Sequence, residues 1–202
     1  MPQNNFKIKF FLFSLSFLLI GSVFRVRAAT LYEEASFYID PSYDLYSREK
    51  IEVQLIKITN SLYFYVDKAW WEKKSSEEKG TIHTELDNLS YEFEQKIYPT
   101  LTSYFGSEWK PGIDGDTRVT ILFHPIIENA GGYFNSGNEY PRLQVTTSNE
   151  REMVYINTKG VGQPILKTLL AHEFLHLISF NQKEKIRGIE EEVWLNEAGA
   201  EY

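Results

Sequence analysis

Residues 172–176 read His-Glu-Phe-Leu-His, and this pentapeptide constrains the fold more than any other stretch of the chain. Two imidazoles four residues apart share one face of an α-helix, one above the other. Leu170, Phe174, Leu177 and Ile178 flank them, so the helix is expected to be buried with its polar pair surrounded by hydrocarbon. Pro164 fits the first turn of this helix, which is expected to run to about Gln182.

A pair of histidines on one helix face is a metal-binding unit, and zinc is the metal it suits. In a chain with four histidines a chance His-Glu-x-x-His is roughly a 1% event. There are no cysteines, which excludes disulfides, thiolate metal sites and cysteine nucleophiles. A site built from imidazoles and carboxylates alone suits an open catalytic zinc, with three protein ligands and one free position, better than a closed structural one. Glu197, 21 residues beyond His176 in Trp194-Leu-Asn-Glu-Ala-Gly-Ala-Glu201, is the best third ligand. A short connection around Gln182 to Gly188 would fold a second helix, from Glu190, back against the first. Glu197 and Glu201 are again four apart, so one can ligate while the other accepts the outer N–H of a ligand histidine; Asn196 can do the same for the other ring. Glu173, turned away from the metal by one residue, remains within reach of an attacking water and is the candidate general base.

The rest of the chain predicts an α+β domain. Residues 36–40 and 51–66 are rich in β-branched and aromatic side chains, and the second stretch breaks at Asn60-Ser61 as a hairpin does. Asp67 caps a short helix at Lys68-Ala69-Trp70-Trp71. Ile82, Leu86, Leu89, Phe93 and Ile97 mark one face of a helix from about Glu77 to Tyr98, which Pro99 should end or kink, with Leu101 to Phe105 adding a last turn before Gly106. A turn over 111–116 leads into a strand at 118–123, and 153–157 reads as another strand. Residues 128–149 are polar and Gly-rich, a long loop or lid with an edge strand; loops of that length are uncommon unless they do something. Whether residues 29–67 belong to the main sheet or to a separate layer stays open at this level.

The first 28 residues read as a signal peptide: Lys7 and Lys9, an uncharged run over 10–24, and cleavage after Ala28. A run of 15 is short for a membrane span, which needs about 20 residues, so contact with a membrane is expected to be transient, the alternative being an uncleaved surface anchor. The formal net charge is −7, and loss of the four basic residues of this segment, Lys7, Lys9, Arg25 and Arg27, leaves −11. A nucleic-acid partner is therefore not expected. No stop signal closes the helix that ends at Tyr202, so the native protein is expected to continue.

Several segments resemble a known group. Asn196-Glu197 about twenty residues beyond the His-Glu-x-x-His is similar to the thermolysin-type gluzincin arrangement. YFYVD (Tyr63–Asp67), IYP at 97–99, GIDGD at 112–116 with TRVTILF, GGYF at 131–134, SNERE at 148–152 and WLNEAGAEY at 194–202 resemble the hyicolysin family of secreted bacterial metallopeptidases. The resemblance covers most of residues 36–202. It implies a zincin-like fold: a small twisted mixed sheet with an edge strand over the cleft, backed by the His-Glu-x-x-His helix and a following ligand helix. It implies Zn2+ held by His172, His176 and Glu197, Glu173 as catalytic base, protein or peptide substrates, and an extracellular location. Glu201 matches the acid that supports the first histidine, where such proteins often carry Asp. Residues 29–202 would then be the N-terminal subdomain of a catalytic domain, with the oxyanion-steadying residue beyond Tyr202. The alternatives are a catalytically inactive metal-fold surface or binding protein, and a zinc hydrolase of non-peptide substrates.

Other features carry less. His83 and His124 read as structural histidines, Asp114-Gly115-Asp116 as a tight turn rather than a calcium loop, and Glu190–Glu192 as a favourable helix start. Gly131, Gly132 and Tyr133 are candidates for a strand edge along which substrate backbone binds, since paired glycines allow close approach of another chain.

Overall fold

The computed structural model describes residues 29–189. A six-stranded mixed sheet forms its centre: β1 (Glu34–Tyr38), β2 (Lys50–Ile58), β3 (Leu62–Asp67), β4 (Val119–His124), β5 (Gly132–Phe134) and β6 (Met153–Asn157). Their order is β1-β2-β3-β4-β6-β5. The β1, β2 and β3 strands pair antiparallel, β3, β4 and β6 run parallel, and β5 returns antiparallel on the far edge. Residues 29–67 thus belong to the main sheet. The whole is α+β.

The three parallel strands are buried on both faces, as such strands must be, and their side chains sort by period two. Leu62, Phe64, Val66, Val119, Ile121, Phe123, Val154 and Ile156 face one core. Tyr63, Tyr65, Leu122, Met153 and Tyr155 face the other, with Phe37, Ile39, Ile51 and Val53. A parallel β3–β4 pair needs a long crossover. It is made by α1 (Lys68–Glu72), α2 (Ser76–Glu92) and α3 (Tyr98–Phe105). Asp67 caps α1 by accepting from the Trp70 N–H, and Ser75 with Glu78 forms a reciprocal capping box at the start of α2.

Pro99 does not end this helical run, which continues to Phe105 and a cap at Gly106, as the expected last turn does. A π-helical turn over Phe93–Ile97 precedes it, with the Tyr98 N–H bonded to the Phe93 carbonyl, and Pro99 falls in the first turn of α3. The π-helical turn shifts the hydrogen-bond register just ahead of Pro99, which has no N–H of its own to give.

The apolar face of α2 also covers α4 (Leu166–Ser179), whose Leu170, Phe174, Leu177 and Ile178 are fully buried. Phe174 meets the Phe93 ring edge-on at 5.0 Å. The start of α4 lies two residues past Pro164, and its end is not the loop expected at 182–188. A π-helical turn, Phe180–Lys185, prolongs it. Gly188, at φ 65°, closes it with its N–H on the Glu184 carbonyl, a left-handed helix end. No helix among the described residues is long and apolar enough to cross a membrane.

One corner holds charge in the core. Glu108, Glu139 and Glu152 are 2%, 1% and 3% exposed, and both Glu139 oxygens, with one each of Glu108 and Glu152, lack a hydrogen-bond partner. Burial, reinforced by the Glu152 charge, pushes Glu139 well above the ordinary carboxylate range, and burial pushes Glu152 up to about 7. A carboxyl whose folded pKa is raised holds its proton in the folded state after the unfolded chain has lost it. Stability from this group is therefore full below the unfolded value near 4.5 and falls as pH rises through about 7. Glu152→Gln keeps the acceptor for the Ile113 N–H, bonded at 2.9 Å, but does not ionise. It is expected to flatten the decline in melting temperature between pH 5 and 8 and to gain about 1–3 kcal/mol at the alkaline end. An unchanged pH profile refutes this.

Candidate metal centre

The helical register predicted for the histidine pair is present. His172 and His176 stand on one face of α4, with ring centroids 4.6 Å apart at 84° and their Nε2 atoms 3.0 Å apart. Two neutral imidazoles can share one proton across that gap. A single cation can replace the proton: two nitrogens at the usual Zn–N distance of about 2.0–2.1 Å in a tetrahedral shell are roughly 3.3 Å apart. Both ring nitrogens converge, the ligands are the type zinc prefers, and His176 is 7% exposed, so the pair fits the ion.

Glu173 is 4% exposed and lies against the edge strand. A Cβ added to Gly132 would sit 2.9 Å from Glu173 Oε1 and 2.6 Å from the Tyr155 carbonyl oxygen. A Cβ on Gly131 would sit 2.3 Å from Leu169 Cδ2. The two glycines thus let the histidine helix itself approach β5. The same strand, with Gly131, lines a cleft of about 690 Å³ together with His172, Glu173 and His176. Tyr133 also borders the cleft, but its ring is mostly buried in the sheet's second core. It is stacked on Tyr155 at 4.2 Å and on Tyr43 at 4.5 Å.

Behind this edge runs a buried polar chain that no sequence motif announces. Tyr133 Oη is 3.3 Å from His124 Nε2, and His124 Nδ1 is 3.2 Å from Asp44 Oδ1. Arg48 donates to both Asp44 and Asp67. Burial keeps His124 below its ordinary pKa, with Asp44 opposing. Burial alone would raise Asp44, but its hydrogen bonds from Arg48 prevail and hold it at about 2. His124 is thus held in place from both sides. Asp44 and Tyr43 lie in the irregular segment between β1 and β2, where no periodicity flags them; the Tyr43 carbonyl accepts from the Ile127 N–H and ties that segment to the sheet. His83 packs its ring against Trp71 edge-on at 5.6 Å. Asp114 accepts from the Asp116 N–H, and Asp116 from the Arg118 N–H, forming the turn into β4.

Glu197, Glu201 and Asn196 lie outside the described residues, as does the segment 1–28. Among the described residues no group of three His, Asp or Glu side chains is arranged to hold a metal ion.

No family model matches the chain. Over 132 residues it is 31% identical to the neutral metalloprotease ShpI of Staphylococcus hyicus, a match that takes in 56% of this chain. The matched region spans 28% of that protein, little more than a quarter of its length. The similarity supports a metalloprotease relationship.

Proposed function

We propose that this chain carries the zinc-binding half of an extracellular metallopeptidase, with His172, His176 and Glu197 as ligands and Glu173 as general base. The observation that carries the reading is the convergence of the two Nε2 atoms, 3.0 Å apart, beside a nearly buried carboxylate in an open cleft. The similarity to a neutral metalloprotease favours peptide bonds over other acyl substrates. Residues 1–28 direct export, and residues 29–202 form the N-terminal subdomain of a zincin-like catalytic domain. Glu201 and Asn196 steady the ligand rings from outside.

A zinc ion in this position supplies Lewis acidity, polarising the scissile carbonyl and lowering the pKa of water to about 7. The chain's own groups do the rest. Glu173 accepts the proton of the attacking water and returns it to the leaving amine, so that the amine departs neutral. The edge of β5 offers backbone groups to an extended peptide lying in the cleft.

Equilibrium dialysis with metal analysis tests the centre directly. One zinc per chain is expected. His172→Ala and His176→Ala should each weaken binding by more than the tenfold to hundredfold that loss of an outer-shell partner costs. Casein hydrolysis by the full-length protein should stop with chelator and return with zinc. Stoichiometric zinc that survives loss of both histidines would overturn the assignment. Zinc binding without chelator-sensitive hydrolysis would favour the inactive binding protein.

A further inference from the structure

Three tyrosine rings stand in a row that leads from the core to the cleft. Tyr155 and Tyr133 stack with centroids 4.2 Å apart at 6°, and Tyr133 and Tyr43 follow at 4.5 Å and 17°. Exposure grows along the row: Tyr155 is fully buried, Tyr133 is 5% exposed and Tyr43 is half-buried. Among the described residues Tyr43 stacks on no ring other than that of Tyr133. Tyr43 and Tyr133 both line the cleft that holds His172, Glu173 and His176. The row therefore ends on a ring that borders the site itself.

Tyr43 has little freedom to turn away. Its N–H donates to the Asp40 carbonyl at 3.1 Å, and its carbonyl accepts from the Ile127 N–H at 2.9 Å. The next residue, Asp44, is 1% exposed, accepts from Arg48 and bridges to Ile126. A ring already fixed in place has little conformational entropy left to lose when a ligand lands on it. The same cleft is lined by Ala130 ahead of β5 and by Ile165 at the start of α4, where Ile165 is 56% exposed. These neighbours are apolar and uncharged, a setting that suits hydrocarbon. We propose that Tyr43 is a specificity-determining residue: a peptide in the cleft places an aromatic side chain on the Tyr43 ring and extends the row by a fourth member. Parallel rings at such spacings attract one another beyond the area they bury. The inference rests on the proposed peptidase function.

Quenched fluorescent peptides cleaved by the full-length protein test it. Peptides in each pair differ by phenylalanine against cyclohexylalanine, which has the same size but is saturated and more apolar, and the pair is moved through the positions flanking the cleaved bond. In the parent, phenylalanine at one position is expected to raise kcat/KM roughly threefold to tenfold over cyclohexylalanine, the span that an aromatic pair adds beyond buried area. Tyr43→Leu should bring that ratio to about one or below, and Tyr43→Phe should keep it. A residue that only supports the fold would slow both peptides by the same factor and leave the ratio intact. That result, or a parent with no preference for phenylalanine at any position, overturns the proposal while leaving the peptidase reading standing. A parent that cleaves no peptide overturns both. Should Tyr43→Leu fail to fold, Tyr43→Gln enters the same comparison with the same loss of preference expected.

Discussion

Glu173→Gln is expected to leave zinc bound with near-parental affinity and to lower kcat/KM for peptide hydrolysis by roughly 10²–10⁴-fold, the range that a positioned general base contributes. The substitution is close to isosteric. Glu173 is 4% exposed and fills the space beside Gly132, so glutamine keeps the packing between α4 and β5 while losing the ability to take a proton. The turn of α4 places His172 and His176 on one face whether position 173 is Glu or Gln. Zinc content and melting temperature should therefore match the parent when activity is gone. Retained hydrolysis would remove Glu173 from the chemistry. Lost zinc would mean that the carboxylate supports the metal rather than the water. A hydrolysis rate measured against pH separates a lost base from slow product release, since only the former abolishes the acidic limb of the profile.

Legibility in the sequence depends on how local each signal is. The His172/His176 pair requires only helical periodicity, and Asp67 and Ser75 cap their helices through bonds spanning three residues. Strands β4 and β6 are readable because strands buried on both faces leave nearly continuous apolar runs. The sheet order is not, since pairing β3 with β4 and β4 with β6 in parallel depends on crossovers that no short window contains. Pro99 leaves open whether the helix ends or bends there, because the outcome depends on the preceding turn: a π-helical turn over Phe93–Ile97 lets the run continue. The Asp44–His124–Tyr133 chain joins three segments separated by 80 and 9 residues. His124 and Tyr133 draw notice singly, but no local pattern joins them to Asp44. The paired glycines do signal close approach, but the approaching element within the described residues is α4.

That contact makes Gly132→Ala the most informative single-methyl change in the described part of the chain. The new Cβ would lie 2.6 Å from the backbone oxygen of Tyr155, which is fixed in the ladder, and 2.9 and 3.0 Å from Oε1 and Cγ of Glu173. Strand β5 has three residues paired to β6, and its middle residue, Tyr133, is clamped between Tyr43 and Tyr155. It has little freedom to slide away. Either the ladder opens at Gly132 or Glu173 is pushed off the strand. Overpacking of this kind costs about 1–3 kcal/mol, or roughly 2–4 °C of melting temperature per kcal/mol for a domain of this size. A displacement of about 1 Å at a catalytic carboxylate can cost about 10²-fold in rate, and zinc affinity should stay nearly constant because neither imidazole is touched. Gly131→Ala is the internal control. The three atoms nearest its Cβ all belong to the Leu169 side chain, with Cδ2 at 2.3 Å, and a leucine can turn aside where a backbone carbonyl cannot. Loss of activity should therefore track position 132 and not position 131. Equal behaviour of the two variants in thermal melts and in kcat/KM would show that the spacing between helix and edge strand does not govern the base.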